Sequence, residues 1–126
     1  MAAPGEGFFP GQVAIDAYGA GGFRFAGMSH RGAILCLPSG VHAWTADADR
    51  PLVEDDFAAV FAEAEPIGVL LVGTGRDIRP LAAPLRAAFR ARGITVDAMS
   101  TGAAVRTYNI MLAEDRRVAG AFLAVG

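Results

Sequence analysis

The sequence predicts an α/β fold in which antiparallel N-terminal strands are followed by two strand–helix units. Three observations predict it. The run Ile67-Gly68-Val69-Leu70-Leu71-Val72 has no polar alternation, stops at Gly73-Thr74-Gly75 and leads into a helical pattern. An unalternated apolar strand is one buried on both faces of a sheet. A second run, Ile94-Thr95-Val96-Asp97-Ala98-Met99, stops at Ser100-Thr101-Gly102 and opens another helical segment. Upstream, short apolar/polar alternations separated by glycine turns read as half-buried strands. No repeat, low-complexity tract or linker divides the 126 residues, so a single domain over 1–126 is expected.

Residues 1–11 are rich in Gly and Pro and predict an irregular lead-in, in which Phe8 and Phe9 are apolar enough to tuck against the body. Val13 to Tyr18 alternates, with Val13, Ile15 and Ala17 on one side, and predicts a strand. Gly19-Ala20-Gly21-Gly22 turns the chain. Phe23 and Phe25 then face together opposite Arg24, and Ala26-Gly27 turns it again before Met28-Ser29-His30. Ala33 to Leu37 is a further apolar run ended by Pro38-Ser39-Gly40, and Val41 to Thr45 alternates once more. Together these strands predict an antiparallel meander.

The first helix is expected over Val53–Ala64, where Phe57, Val60, Phe61 and Ala64 recur at three- and four-residue spacing. Glu54, Asp55 and Asp56 favour the positive end of its dipole, and Pro66 ends it. Pro84 suits the first turn of a second helix. Leu85, Ala88, Phe89 and Arg92 share one of its faces, and Gly93 stops it. Thr101 is expected to cap a third helix running to about Ala113. Arg117 to Val125 closes the sheet, with Val118, Gly120, Phe122 and Ala124 facing away from Ala119, Ala121, Leu123 and Val125.

Composition removes several function classes. The formal net charge is −2 with acids and bases interspersed, which lacks the basic stripe of a nucleic-acid binder. All 11 basic residues are Arg, so neither a Schiff-base lysine nor a P-loop lysine is present. No apolar stretch approaches the roughly 20 residues that span a membrane. The first residues lack the basic and apolar regions of a secretion signal, so a cytoplasmic location is expected. The single cysteine, Cys36, lies in an apolar run and is read as a core residue of a protein from a reducing compartment. His30 and His42 sit in different strands with no acid at metal-ligand spacing, and Ser29, His30 and Asp16 lack a nucleophile elbow. No metal, cofactor or catalytic residue is assigned.

The candidate pocket lies where both strands end, since ligands of open parallel sheets bind at the C-terminal strand edge. Gly73, Thr74, Gly75 and Arg76 form the first loop, with Asp77 and Arg79 beyond it. Such a loop serves either as a tight structural turn or as an anion cradle. Thr101 opens the third helix. Arg106-Thr107-Tyr108-Asn109 holds mediocre helix formers where a merely structural helix would carry Ala, Leu or Glu. That conflict marks either a site or a buried polar network. Arg106 and Asn109 are therefore read both as network members, with Arg106 pairing Asp77 or Asp97, and as ligand contacts of a small anion- or carboxylate-binding protein or enzyme that uses the loops at Gly73–Asp77 and Ser100–Asn109.

The phrases Leu71-Val72-Gly73-Thr74-Gly75, Asp97-Ala98-Met99-Ser100-Thr101-Gly102-Ala103-Ala104-Val105-Arg106-Thr107-Tyr108-Asn109-Ile110-Met111 and Glu114-Asp115-Arg116-Arg117-Val118-Ala119 carry a resemblance. Taken together, they resemble the family of the mitochondrial complex I assembly factor 3 and the adipogenesis-associated cytosolic protein, from about Val13 onward. Ser100 stands where that family frequently has an acid, and Val105 where it frequently has a cysteine. The resemblance implies a three-layer α/β domain with a mixed central sheet. It implies a scaffold or chaperone-like assembly role and not an enzyme, with a protein partner such as a respiratory or membrane-complex subunit, and it supplies no catalytic residue. A twofold homodimer is expected only as the commonest kind of oligomer.

Overall fold

The computed structural model describes residues 8–126. In chain order the elements are β1 (Phe8–Phe9), β2 (Ala17–Gly19), β3 (Gly22–Phe25), β4 (Met28–Arg31), β5 (Ile34–Leu37) and β6 (Gly40–Ala43). A 3-10 turn over Glu54–Phe57 precedes α1 (Ala58–Phe61), β7 (Val69–Gly73), α2 (Ala83–Ala91), β8 (Thr95–Met99), α3 (Thr101–Ala113) and β9 (Val118–Phe122). Six strands form the central sheet in the order β1-β6-β5-β9-β7-β8, and β2-β3-β4 form a second, three-stranded sheet. Pairing is antiparallel from β1 through β9 and parallel from β9 to β7 and β8. The sheet is mixed because only the βα units cross over to return parallel.

Three layers follow from two apolar faces. On one face Leu35, Leu37, Leu70, Val72, Ala119, Ala121 and Leu123 meet Phe57, Val60, Leu85 and Phe89 of the α1 and α2 layer. On the other, Ile34, Cys36, Val41, Leu71, Val118 and Phe122 meet Ala104, Val105 and Tyr108 of α3, with Phe23 and Phe25 of the three-stranded sheet. β9 lies in mid-sheet with all five residues buried, and its alternate residues divide between the two cores as the sequence predicts. β7 is likewise buried on both faces.

The structure corrects five expectations. The lead-in is not irregular throughout: Phe8–Phe9 pairs with β6 as a short strand, while residues 1–7 lie outside the described residues. The N-terminal strands are not one meander, because β5 leaves β4 to join the central sheet beside β9. The strand expected over Val13–Tyr18 forms a ladder only at Ala17–Gly19. Its phase also shifts: Ala17 pairs with Arg24 and Tyr18 with the inward Phe23, although Ile15 is already inward. The first helix is far shorter than Val53–Ala64. Asp56 accepts the Val53 N–H at 2.8 Å and pairs with Arg50 at 2.6 Å, tightening the first turn into 3-10 form. Ala64 falls beyond the helix, which ends at Phe61 with Ala62 as its C-cap, and is exposed. Finally, Ser100 and not Thr101 caps α3, its Oγ accepting the Ala103 N–H at 3.4 Å.

Candidate functional site

Both strand-end loops do meet at the C-terminal edge of the sheet, and they spend their polar groups on each other. Gly73 ends β7 under α3: a Cβ there would stand 2.8 Å from the Thr101 Cα, so only glycine lets the helix start so close. Gly75 has φ 101°, a conformation that favours glycine. Thr74 is buried. Its N–H donates to the Met99 carbonyl at 2.8 Å, and its hydroxyl donates to the Asp77 carbonyl at 2.8 Å and accepts the Arg79 N–H at 3.0 Å. Thr101 is fully buried. Its hydroxyl donates to the Leu123 carbonyl at 2.8 Å and accepts the Gly75 N–H at 3.0 Å, while its N–H donates to the Gly75 carbonyl at 2.8 Å. The two threonines thereby tie β7, β8, β9 and α3 together. Arg79 turns away to donate to the Ala48 carbonyl at 2.7 Å.

Tyr108 and Asn109 form a polar network with the segment that was expected to be a strand. The Tyr108 hydroxyl donates to the Val13 carbonyl at 2.8 Å. The Asn109 amide donates to the Ile15 carbonyl at 2.8 Å and accepts the Ile15 N–H at 2.9 Å, as a neighbouring strand's backbone would. Gln12 donates to the Val118 carbonyl at 2.7 Å. For this segment α3 side chains supply partners that a ladder would have supplied. Arg106 does not join. The expected pairing with Asp77 or Asp97 is absent: Arg106 is exposed on α3, on the side turned away from Thr101, Ala104 and Tyr108. Among the described residues neither Arg106 nor Arg76 forms an ion pair.

A groove of about 330 Å³ opens beside the first loop, lined by Ile78, Pro80, Leu81 and Arg86 against Val96, Asp97 and Ala98 of the edge strand β8. None of the seven predicted pocket residues, Gly73, Thr74, Gly75, Arg76, Thr101, Arg106 and Asn109, lines it. Sequence reasoning missed this groove; the signal for it was the apolar Ile78 and Leu81 in a loop otherwise rich in Arg and Pro.

Other reactive side chains have structural surroundings. Cys36 is fully buried, and burial pushes its thiol well above the ordinary range against an opposing hydrogen bond with Tyr108. Ser29 and His30 fall on opposite faces of β4, paired with Arg24 and Phe23 respectively, which separates them as catalytic partners. Ser39 sits in the β5–β6 turn with its Oγ 2.9 Å from His42 Nε2 and 2.7 Å from Glu63 Oε2, while its N–H donates to Glu63 Oε1 at 2.8 Å. The serine hydroxyl donates its hydrogen bond to the glutamate, so this cluster braces a turn. Among the described residues no three His, Cys, Asp or Glu side chains gather to hold a metal ion.

Residues 15–123 match the family described as protein of unknown function DUF498/DUF598. The chain belongs to that family. An uncharacterized protein of Rhodobacter capsulatus is 41% identical over 121 residues, covering 96% of this chain and 92% of that protein. NADH dehydrogenase (ubiquinone) 1 alpha subcomplex assembly factor 3 of Mus musculus is 33% identical over 115 residues, covering 91% of this chain. The chain spans only 62% of that assembly factor's length. Among solved structures, an outer membrane protein from Bartonella henselae superposes with a TM-score of 0.88 at 49% identity, covering 94% of this chain and 99% of that one. The family resemblance and the α/β fold read from the sequence are both shown. Among the described residues no helix is long and apolar enough to cross a membrane.

Proposed function

We propose that this protein is a non-enzymatic assembly factor that binds a protein client during the building of a respiratory membrane complex. The observation that carries this reading is the 33% identity to complex I assembly factor 3 across 91% of the chain. The arrangement of the strand-end loops agrees with it. Their hydroxyls and several of their N–H groups bond to neighbouring backbone, so the chemistry-bearing residue types of this edge act as fasteners. The test is genetic and biochemical. In Rhodobacter capsulatus deleted for its 41%-identical relative, membranes should lose most of their NADH:ubiquinone oxidoreductase activity, and this chain should restore it. Unchanged activity in the deletion strain would sink the reading.

A further inference from the structure

The three-stranded sheet turns one face to the core and leaves the other open. Cross-strand partners share a face. Phe23 and Phe25 are buried in the core, so Ala17, Gly19, Gly22, Arg24, Ser29 and Arg31 occupy the outer face. Arg24 and Arg31 are exposed. Residues of this face line a concavity of about 650 Å³ together with Tyr18, Phe23 and His30, and among the described residues no carboxylate lines it. Among the described residues neither guanidinium has an ion pair or a hydrogen bond. Two unneutralised cations therefore sit together on a chain whose net charge is −2.

Their spacing is informative. Arg24 pairs with Ser29, and Arg31 lies two residues further along the same strand, so the arginines are diagonal neighbours. Diagonal neighbours stand about 7–8 Å apart. Alternate residues of an extended chain are spaced about 6.5–7 Å apart, which nearly matches. The small Ala17, Gly19 and Gly22 leave room for a backbone to lie close to the sheet. Each guanidinium offers a planar fork suited to one carboxylate.

We propose that this face docks an acidic segment of a protein partner, an extended stretch with carboxylates at alternate positions, each held by one arginine. The proposal rests on the assembly-factor reading and specifies its client contact. A lipid surface fits less well, because polybasic membrane sites gather about four to eight basic residues. Nucleic acid would need a longer basic stripe.

The experiment is a fluorescence-anisotropy titration of the full chain with a labelled peptide of alternating Glu and Ala, its Gln counterpart, and anionic phosphatidylglycerol vesicles in a parallel sedimentation assay. The Glu peptide should bind saturably and more weakly as salt rises. Binding should fall about tenfold or more for the Gln peptide and for the Arg24→Gln/Arg31→Gln protein, and stay unchanged for Arg86→Gln. Melting curves should show the double variant folded, since both side chains are exposed. Wild-type affinity in the double variant, no peptide binding, or binding to vesicles alone would overturn the proposal. The complementation strain separates it from the broader reading. If wild type restores activity and Arg24→Glu/Arg31→Glu restores it equally, the docking face falls while the assembly role stands. If wild type fails to restore it, the assembly role falls and the titration judges the face by itself.

Discussion

On one face of the central sheet, Trp44, Phe57, Phe89 and Phe61 stack ring against ring, with centroid separations of 5.4, 5.0 and 5.1 Å. Arg92 covers Phe61 at 3.9 Å, and the one polar atom in the stack, Trp44 Nε1, donates to the Asp56 carbonyl at 2.7 Å. On the other face, Tyr108 also packs its ring edge-on against Phe122, 5.4 Å between centroids, but its hydroxyl and Asn109 reach out to hold residues 13–15 by their backbone. The difference lies in what each layer is made of. The α1–α2 layer meets the sheet chiefly through apolar rings and aliphatic side chains, with its helix interiors satisfying their own backbone. The opposite layer includes residues 13–15, which lie outside any ladder, and their buried peptide groups require side-chain partners.

Four substitutions test this contrast. Phe89→Ala removes the ring that joins two others and should cost about 3–5 kcal/mol in denaturant unfolding. A loss below about 1 kcal/mol would show that the stack is not what closes that face. Asn109→Ala leaves both peptide groups of Ile15 without their partner and should cost about 1–3 kcal/mol. It should also raise amide exchange at Ile15 ahead of global unfolding, a readout that a simple helix defect would not produce. Tyr108→Phe keeps the ring and deletes the hydroxyl's bond to the Val13 carbonyl together with its weaker one to Cys36, for about 0.5–1.5 kcal/mol. If it proves as costly as Phe89→Ala, the polar clamp matters far more than these bonds and the contrast fails. Arg106→Ala should shift stability by no more than about 0.5 kcal/mol, since the residue is exposed and, among the described residues, unpaired. A melting shift with inorganic phosphate that disappears in Arg106→Ala would instead revive a ligand role at this helix.

Much of the fold was legible. The unalternated run before Gly73, the Pro84 start and Gly93 stop of α2, the extent of α3 and the two-sided alternation of β9 each follow from local pattern. Elements fed by several consistent signals are the ones a single sequence specifies well. The polar network around Tyr108 and Asn109 was also legible, as a conflict between helix propensity and position. Its partners were not. Val13 and Ile15 are 94 or more residues away in sequence, and nothing local marks a backbone as lacking a ladder. The Thr101 cap failed for a related reason: a hydroxyl at a helix start suits a cap, but here the Leu123 carbonyl and Gly75 N–H compete for it and win.

By itself, then, the sequence determined the order and kind of most elements, the burial of Cys36 and the family, because these rest on periodicity, turn residues and short motifs read within one window. Only the tertiary structure decided that the glycine loop and the α3 start fasten each other. It alone brought Arg24 and Arg31 together on one open face, and it alone left Ile78 and Leu81 beside the edge strand β8. Those outcomes depend on register and on which groups at distant positions satisfy one another, and a hydrogen bond across the fold leaves no periodic trace in the chain that makes it.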